Sequence, residues 1–336
     1  MLDFLTAFAI LIGIYSVFTL GLNVHWGYTG LFNIGVAGFF ALGAYAASLL
    51  TIRPPSSDQV DDYLYAGDLA NRLEALPVIG ALDLWFIAGL LAASLVSAAV
   101  ALVVGTITIR LRGDYLAIAT LGIAESVRLV FLNERWLGNG SKGLYTIPRV
   151  FDGIATPQDY DRVYLVVVLV VFLALFFGVR ALVHSPWGRV LRAIREDEVT
   201  AEASGKHVFR FKLQAFVLGA VIMGIGGALY AFNLRAISPS AFTPLLGTFI
   251  IWAMLVVGGS GRLYAPIVGA FIVWGIWSGS QFLPDPLGSP NVRYFSIGVL
   301  VVLVLVYAPD GITPLLSRAR ERWTARRRLR RAVAEE

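Results

Sequence analysis

Val163-Tyr-Leu-Val-Val-Val-Leu-Val-Val-Phe-Leu-Ala-Leu-Phe-Phe-Gly-Val-Arg180-Ala-Leu-Val183 carries one charge, Arg180, in an otherwise apolar run. A helix needs about 20 mostly apolar residues to cross the hydrocarbon core of a bilayer, and this run has that length. Similar runs recur from end to end, broken by charged or Pro/Gly-rich segments. Taken together they predict about nine spans, near 4–24, 31–52, 84–109, 114–133, 163–183, 213–234, 243–259, 263–283 and 294–309. The expected fold is therefore all-α, a polytopic transmembrane bundle over residues 1–316.

Composition agrees. Of the 336 residues 57% are hydrophobic and 15% are charged, more apolar surface than a soluble domain of this size buries. The formal charge of +5 is local: Ser317 to Glu336 holds eight arginines against three glutamates, so the rest of the chain is neutral. A basic tail directly after a span, here 317–336, reads as an anchor beside anionic headgroups on the cytoplasmic side, ahead of nucleic-acid binding. Cysteine is absent, which removes disulfide scaffolds and thiolate metal sites. No Lys or Arg precedes Arg53, so the first span reads as retained and not as a cleaved signal.

One assignment of sides satisfies every loop. The tail, the 184–212 loop with six Lys/Arg and the Arg110–Arg112 turn fall inside; loops 53–83 and 134–162 fall outside. With two whole spans before Arg53 the N-terminus also lies outside, an inference that fails if the second span is broken or re-entrant. The predicted location is the cell membrane, multi-pass.

Three segments carry the functional reading. Gly27-Tyr-Thr-Gly30-Leu-Phe-Asn33-Ile-Gly35-Val-Ala-Gly38 is glycine-rich at membrane depth. Glycine allows the backbone to unwind, and unwound backbone survives in a bilayer only where protein or a watery cavity satisfies it. A break around Thr29 to Asn33 would place Asn33, Gly35 and Gly38 on a solute pathway. Equally, Asn33 could cap the second span while the glycines form a packing face. In the fourth span Glu125 precedes Arg128 by three residues, on one helix face. An isolated charge at that depth costs about 2.5–3.5 kcal/mol, so Glu125 needs a partner, a cavity or a proton. An ion pair that fixes packing is one reading; a pathway residue or proton carrier is the other.

The third segment runs from Ser185 to Lys212. Ser185 can cap a helix opening on Pro186, Gly205 can stop it, and Val190, Leu191 and Ile194 recur at helical spacing among charges. Such a helix lies on headgroups or in a partner's groove.

Here the chain resembles a known family. Gly188-Arg-Val-Leu-Arg-Ala-Ile-Arg-Glu-Asp-Glu-Val-Thr-Ala-Glu-Ala-Ser-Gly-Lys206, continuing through Phe211-Lys-Leu-Gln-Ala-Phe-Val-Leu-Gly-Ala220 to Gly226-Gly-Ala-Leu-Tyr-Ala231, is similar to the permease subunits of branched-chain amino acid ABC importers, of LivM type. Asn23 to Tyr45 and Leu111-Arg-Gly-Asp-Tyr-Leu-Ala-Ile-Ala-Thr-Leu-Gly122 agree, so the resemblance covers most of the chain in order. It implies a second permease subunit of the same family, two cytoplasmic ATP-binding subunits that bind the ATP, and an extracellular or periplasmic solute-binding protein. It also implies that a coupling helix lies within Arg195 to Gly205, with Arg195, Glu196, Glu198, Ala201 and Gly205 facing the ATPase. The importer pattern of Glu-Ala-Ala six residues before Gly is Val199-Thr200-Ala201 here, and Ala265 stands where the family's inside turn has Gly.

Other motifs are discounted. Thr200 replaces the first glycine a P-loop needs before Gly205-Lys206, and Gly138-Asn-Gly140-Ser-Lys-Gly143 follows a membrane span, not a strand. His25, His184 and His207 are too scattered for a zinc site. Asn139-Gly-Ser141 is a glycosylation triplet of low specificity. The chain is expected to carry no cofactor, no metal and no catalytic residues of its own, leaving a permease of an ATP-driven importer. The alternative is a proton-coupled secondary transporter using Glu125. The resemblance implies branched-chain amino acids as the transported class, with urea and short amides carried by related permeases.

Overall fold

A computed structural model describes residues 2–52, 83–151, 159–284 and 289–314. The basic tail, most of the 53–83 loop and residues 152–158 lie outside the described residues. Each of the nine predicted apolar stretches contains helix. In chain order these are α1 (Leu2–Leu22), α2 (Val36–Thr51), α3 (Leu84–Thr108), α4 (Gly113–Asn133), a single turn α5 (Arg135–Gly138), and α6 (Tyr160–His184). Then come α7 (Pro186–Glu196), α8 (Glu198–Ala203), α9 (Val208–Leu234), α10 (Ile250–Gly258), α11 (Ala265–Gly279) and α12 (Pro290–Tyr307). Among the described residues six helical stretches, formed by α1 with its extension to Tyr28, α3, α4, α6, α9 and α12, are long and apolar enough to cross a membrane.

Apart from α11, whose 15 residues a 3-10 turn extends to Phe282, two crossings fall short. At about 1.5 Å per residue the 16 residues of α2 span about 24 Å, less than the roughly 30 Å hydrocarbon core. The segment Leu245–Gly258 is likewise short, and its first turn is a wide π-turn over Leu245–Phe249. A second π-turn, Asn23–Tyr28, ends the first crossing. Between it and α2 the backbone from Gly30 to Gly35 is not helical. The predicted break therefore exists, and the second span starts at Val36, not at residue 31.

α9 is the centre of the bundle. In its most apolar stretch 72% of residues are buried, against 11% in α12. Bare backbone allows this, because between membrane helices close contact, not water exclusion, drives association. A Cβ on Gly43 of α2 would stand 2.0 Å from Gly224 O of α9, and one on Gly227 would stand 2.3 Å from Phe40 O. Aromatic rings fill the gaps: Phe18, Phe40, Phe216 and Phe232 are buried. Outward faces of α3 and α6 expose Leu95, Val103, Ile107, Val166 and Val170, as lipid contact requires.

At one end of the bundle α7 and α8 form a hydrophilic elbow. Gly30, Arg110–Arg112 and Glu198 line one groove there, so the two basic loops that the charge rule puts on one side share an end. At the opposite end Leu144–Tyr145 pairs antiparallel with Ala236–Ile237, tying the loop after α5 to the exit of α9. Asn139 lies at that end with φ 62°, buried, and its side-chain amide donates to Gly143 O at 3.1 Å. Burial and this bond both argue against the glycosylation reading.

Candidate functional site

The elbow is built by two capping devices. Ser185 precedes Pro186 as expected, but its hydroxyl donates back to Leu182 O at 2.6 Å and does not cap α7. That carbonyl, in the last turn of α6, also accepts from Ser185 N at 3.2 Å. The single helix expected from Pro186 to Gly205 is divided at Asp197, whose backbone is extended at φ −153°, ψ 109°. Its carboxylate accepts from Val199 N at 2.9 Å, Thr200 N at 3.1 Å and the Thr200 hydroxyl at 2.8 Å. Capping by Asp is thus the physical reason for the break. These bonds, chiefly from the Thr200 hydroxyl, hold the carboxyl below its ordinary pKa.

Gly205 ends α8 with φ +78°. Gly205 N donates to Glu202 O at 2.9 Å and Lys206 N to Ala201 O at 3.3 Å, the paired bonds of a Schellman stop. Beneath, Ile194, Ala201 and Val208 bury one another against Val190 and Phe211. Ala201 therefore faces inward. Glu196 closes α7 on the exposed side and lines a crevice of about 470 Å³ with Asp197 and Thr200. Glu198 pairs with Lys212 of α9. Val199 remains 75% exposed, an apolar side chain presented outward from α8.

Directly above the elbow lies the broken segment. Asn33 is fully buried, and no polar atom of it is idle. Its amide nitrogen meets His25 Nδ1 at 3.0 Å, its amide oxygen accepts from Gly35 N at 2.7 Å, and its carbonyl accepts from Trp252 Nε1 at 3.0 Å. Neighbouring backbone is served by Thr120, which accepts from Ile34 N at 3.1 Å, and by Thr248, which accepts from Ala37 N at 3.0 Å. Protein groups thus satisfy the unwound strand, one of the two conditions under which a bilayer tolerates it. Thr248 belongs to the π-turn that opens the other short crossing, so the two incomplete helices meet here.

Gly35 and Gly38 face α4. A Cβ on Gly35 would lie 2.6 Å from Thr120 O, and one on Gly38 2.9 Å from the Cα of Ala124. The crevice between them admits about one water, at 10 Å³. Farther along α4, Arg128 grips Glu125 with Nε at 2.9 and 3.0 Å and Nη2 at 2.5 Å. Both carboxylate oxygens are engaged within one helix face.

Comparison with known proteins places this architecture. Residues 4–306 match the family described as branched-chain amino acid transport system / permease component. The chain belongs to that family. It is 32% identical over 326 residues to the high-affinity branched-chain amino acid transport system permease protein LivM of Salmonella typhimurium, covering 90% of this chain and 68% of that protein. The Escherichia coli K12 protein of the same name is 31% identical over 325 residues, with 90% and 68% covered. A probable branched-chain amino acid transport permease protein LivM of Methanocaldococcus jannaschii is 28% identical over 332 residues, with 93% and 94% covered. No solved structure matches.

This branched-chain amino acid transport permease is a multi-pass protein of the inner membrane, a transport component by family. Reading the permease as sequence overlooks His25, Thr120, Thr248, Trp252 and Lys212. The signal for His25 is its position: a titratable ring inside an apolar span needs partners, and it has Asn33 and Phe216 O, the latter at 2.7 Å.

Proposed function

We propose that the chain is the membrane-spanning subunit of an ATP-driven importer, taking branched-chain amino acids across by alternating access. A second permease subunit, two ATP-binding subunits on the elbow side and a solute-binding protein on the other complete it. The observation that carries this reading is the elbow itself. Two short helices, the second capped at its start by Asp197 and stopped at its end by Gly205, hold Val199 out to solvent on a base of Ile194, Ala201 and Val208. A rigid, capped projection with an outward apolar residue suits a helix-in-groove partner. Family membership supplies the transported class, through relatives named for branched-chain amino acid transport. Free energy enters when the ATPase dimer binds the two permease states unequally, which shifts their populations.

The test is reconstitution with and without the partners. A tagged chain is expected to bring down ATP-binding subunits, and leucine uptake into proteoliposomes is expected to require them, ATP and the binding protein. Leucine uptake by the chain alone under a pH gradient would instead establish the proton-coupled reading at Glu125.

A further inference from the structure

Arg195 belongs to the elbow by sequence, yet its side chain turns into the bundle. It enters a slot made by three glycines, two at the end of the first crossing and one in the turn between α10 and α11. Gly30, at φ +75°, leaves bare backbone under the arginine stem, where an added Cβ would lie 3.4 Å from Arg195 Cγ. The guanidinium Nη1 donates to Gly27 O, in the π-turn that ends the first crossing. Gly261, at φ +80°, completes the slot; a Cβ there would come within 2.5 Å of Nη1. Gly27 O is among the last carbonyls of its helix, the negative end of the macrodipole, where a guanidinium is favoured.

The same slot is tied a second time. Asn23 Oδ1 accepts from Gly261 N at 2.8 Å, and Asn23 Nδ2 donates to Arg262 O at 2.9 Å. The end of the first crossing and the turn between α10 and α11 therefore move as one piece, and Arg195 fastens α7 to that piece. The two short crossings both begin or end beside it: α2 follows the Gly30–Gly35 break, and α10 stops at Gly258 just before the turn.

We propose that Arg195 is the positioning residue through which displacement of the elbow reaches the two incomplete helices. It does so by holding a helix-end carbonyl inside the permease, and does not act as a contact to the ATP-binding subunit. This rests on the ATP-driven reading above. Arginine suits the task because its flat, permanently charged group fits a glycine slot while one N–H reaches Gly27 O. Lysine offers a point charge on a flexible stem.

The experiment compares Arg195→Ala and Arg195→Lys in the full reconstituted complex, measuring leucine transported per ATP hydrolysed, copurification of the ATPase and the thermal midpoint. Expected are retained copurification, ATP hydrolysis within about twofold of wild type, and at least a tenfold fall in leucine per ATP for Ala, with Lys between. Loss of ATPase copurification in either variant would make Arg195 a partner contact and overturn the inference. So would transport and hydrolysis falling in proportion, or a Lys variant that couples like wild type while the Ala variant fails to fold. If wild-type complex shows no ATP-dependent uptake, it is the parent reading that fails.

Discussion

The side-chain amide of Asn33 donates to Nδ1 of His25 across 3.0 Å, and that contact fixes the imidazole tautomer. With Nδ1 accepting, the ring proton sits on Nε2 and is donated to Phe216 O at 2.7 Å. A bond from α9, a ring on the first crossing and the unwound start of the second are thereby one network. Replacing Asn33 by Leu orphans His25 Nδ1 and Gly35 N in a buried site, each at a cost of order 1 kcal/mol. A lowered thermal midpoint of the solubilised chain is expected for Asn33→Leu, and an unchanged one would show that the network is dispensable.

Close helix contact predicts opposite outcomes for two glycines. On Gly43 a methyl group meets Gly224 backbone at 2.0 Å or beyond by very little, whereas nothing lies within 4 Å of a Cβ on Gly178. Gly43→Ala is expected to cost about 1–3 kcal/mol through overpacking. Gly178→Ala, in the middle of α6, gains helix propensity of roughly 1 kcal/mol and is expected to hold or raise the midpoint. Thermal unfolding in detergent ranks the two.

The spans were legible because hydropathy at bilayer length needs no knowledge of packing. What defeated the reading were places where backbone chemistry is decided by a neighbour. The second span begins at Val36 because Thr120 takes the Ile34 N–H just before it and Thr248 takes the Ala37 N–H in its first turn, and both are distant in sequence. α9 begins at Val208, five residues before the apolar run that marks it at 213, because Lys212 has Glu198 as partner. Asp197 looks like one acid among four in the elbow, and only its extended backbone makes it a cap. Arg195 likewise reads as a surface charge until the three glycines are brought together.

Asp197 gives the elbow a pH limit. Its carboxyl is held below the ordinary 3.8 by the Thr200 hydroxyl and by the two capping N–H groups. A depressed value in the folded state means the stabilisation is complete above the unfolded value and is lost as pH falls through the folded one. Amide protection in α8, taken relative to the intrinsic exchange rate at each pH, is therefore expected to be flat from neutral pH down to about 4 and to fall only below that. Asp197→Asn, which still caps, is expected to abolish the acid step while keeping most protection.

The pair on α4 separates a structural ion pair from a proton carrier. Glu125 is about one-third exposed and Arg128 half that, at 35% and 17%, and each neutralises the other. Glu125→Gln leaves an unpaired guanidinium at bilayer depth, at a cost of up to about 2.5–3.5 kcal/mol on insertion scales. Arg128→Gln leaves the carboxylate alone. Removing both charges removes the reason for either penalty, so the double variant Glu125→Gln/Arg128→Gln is expected to recover most of the expression and thermal midpoint lost by the single ones. The double-variant cycle then reports the coupling directly. ATP-driven leucine uptake is expected to survive in the double variant. If uptake is lost while midpoint and assembly are restored, Glu125 does more than pack, and its ionisation belongs to the transport cycle.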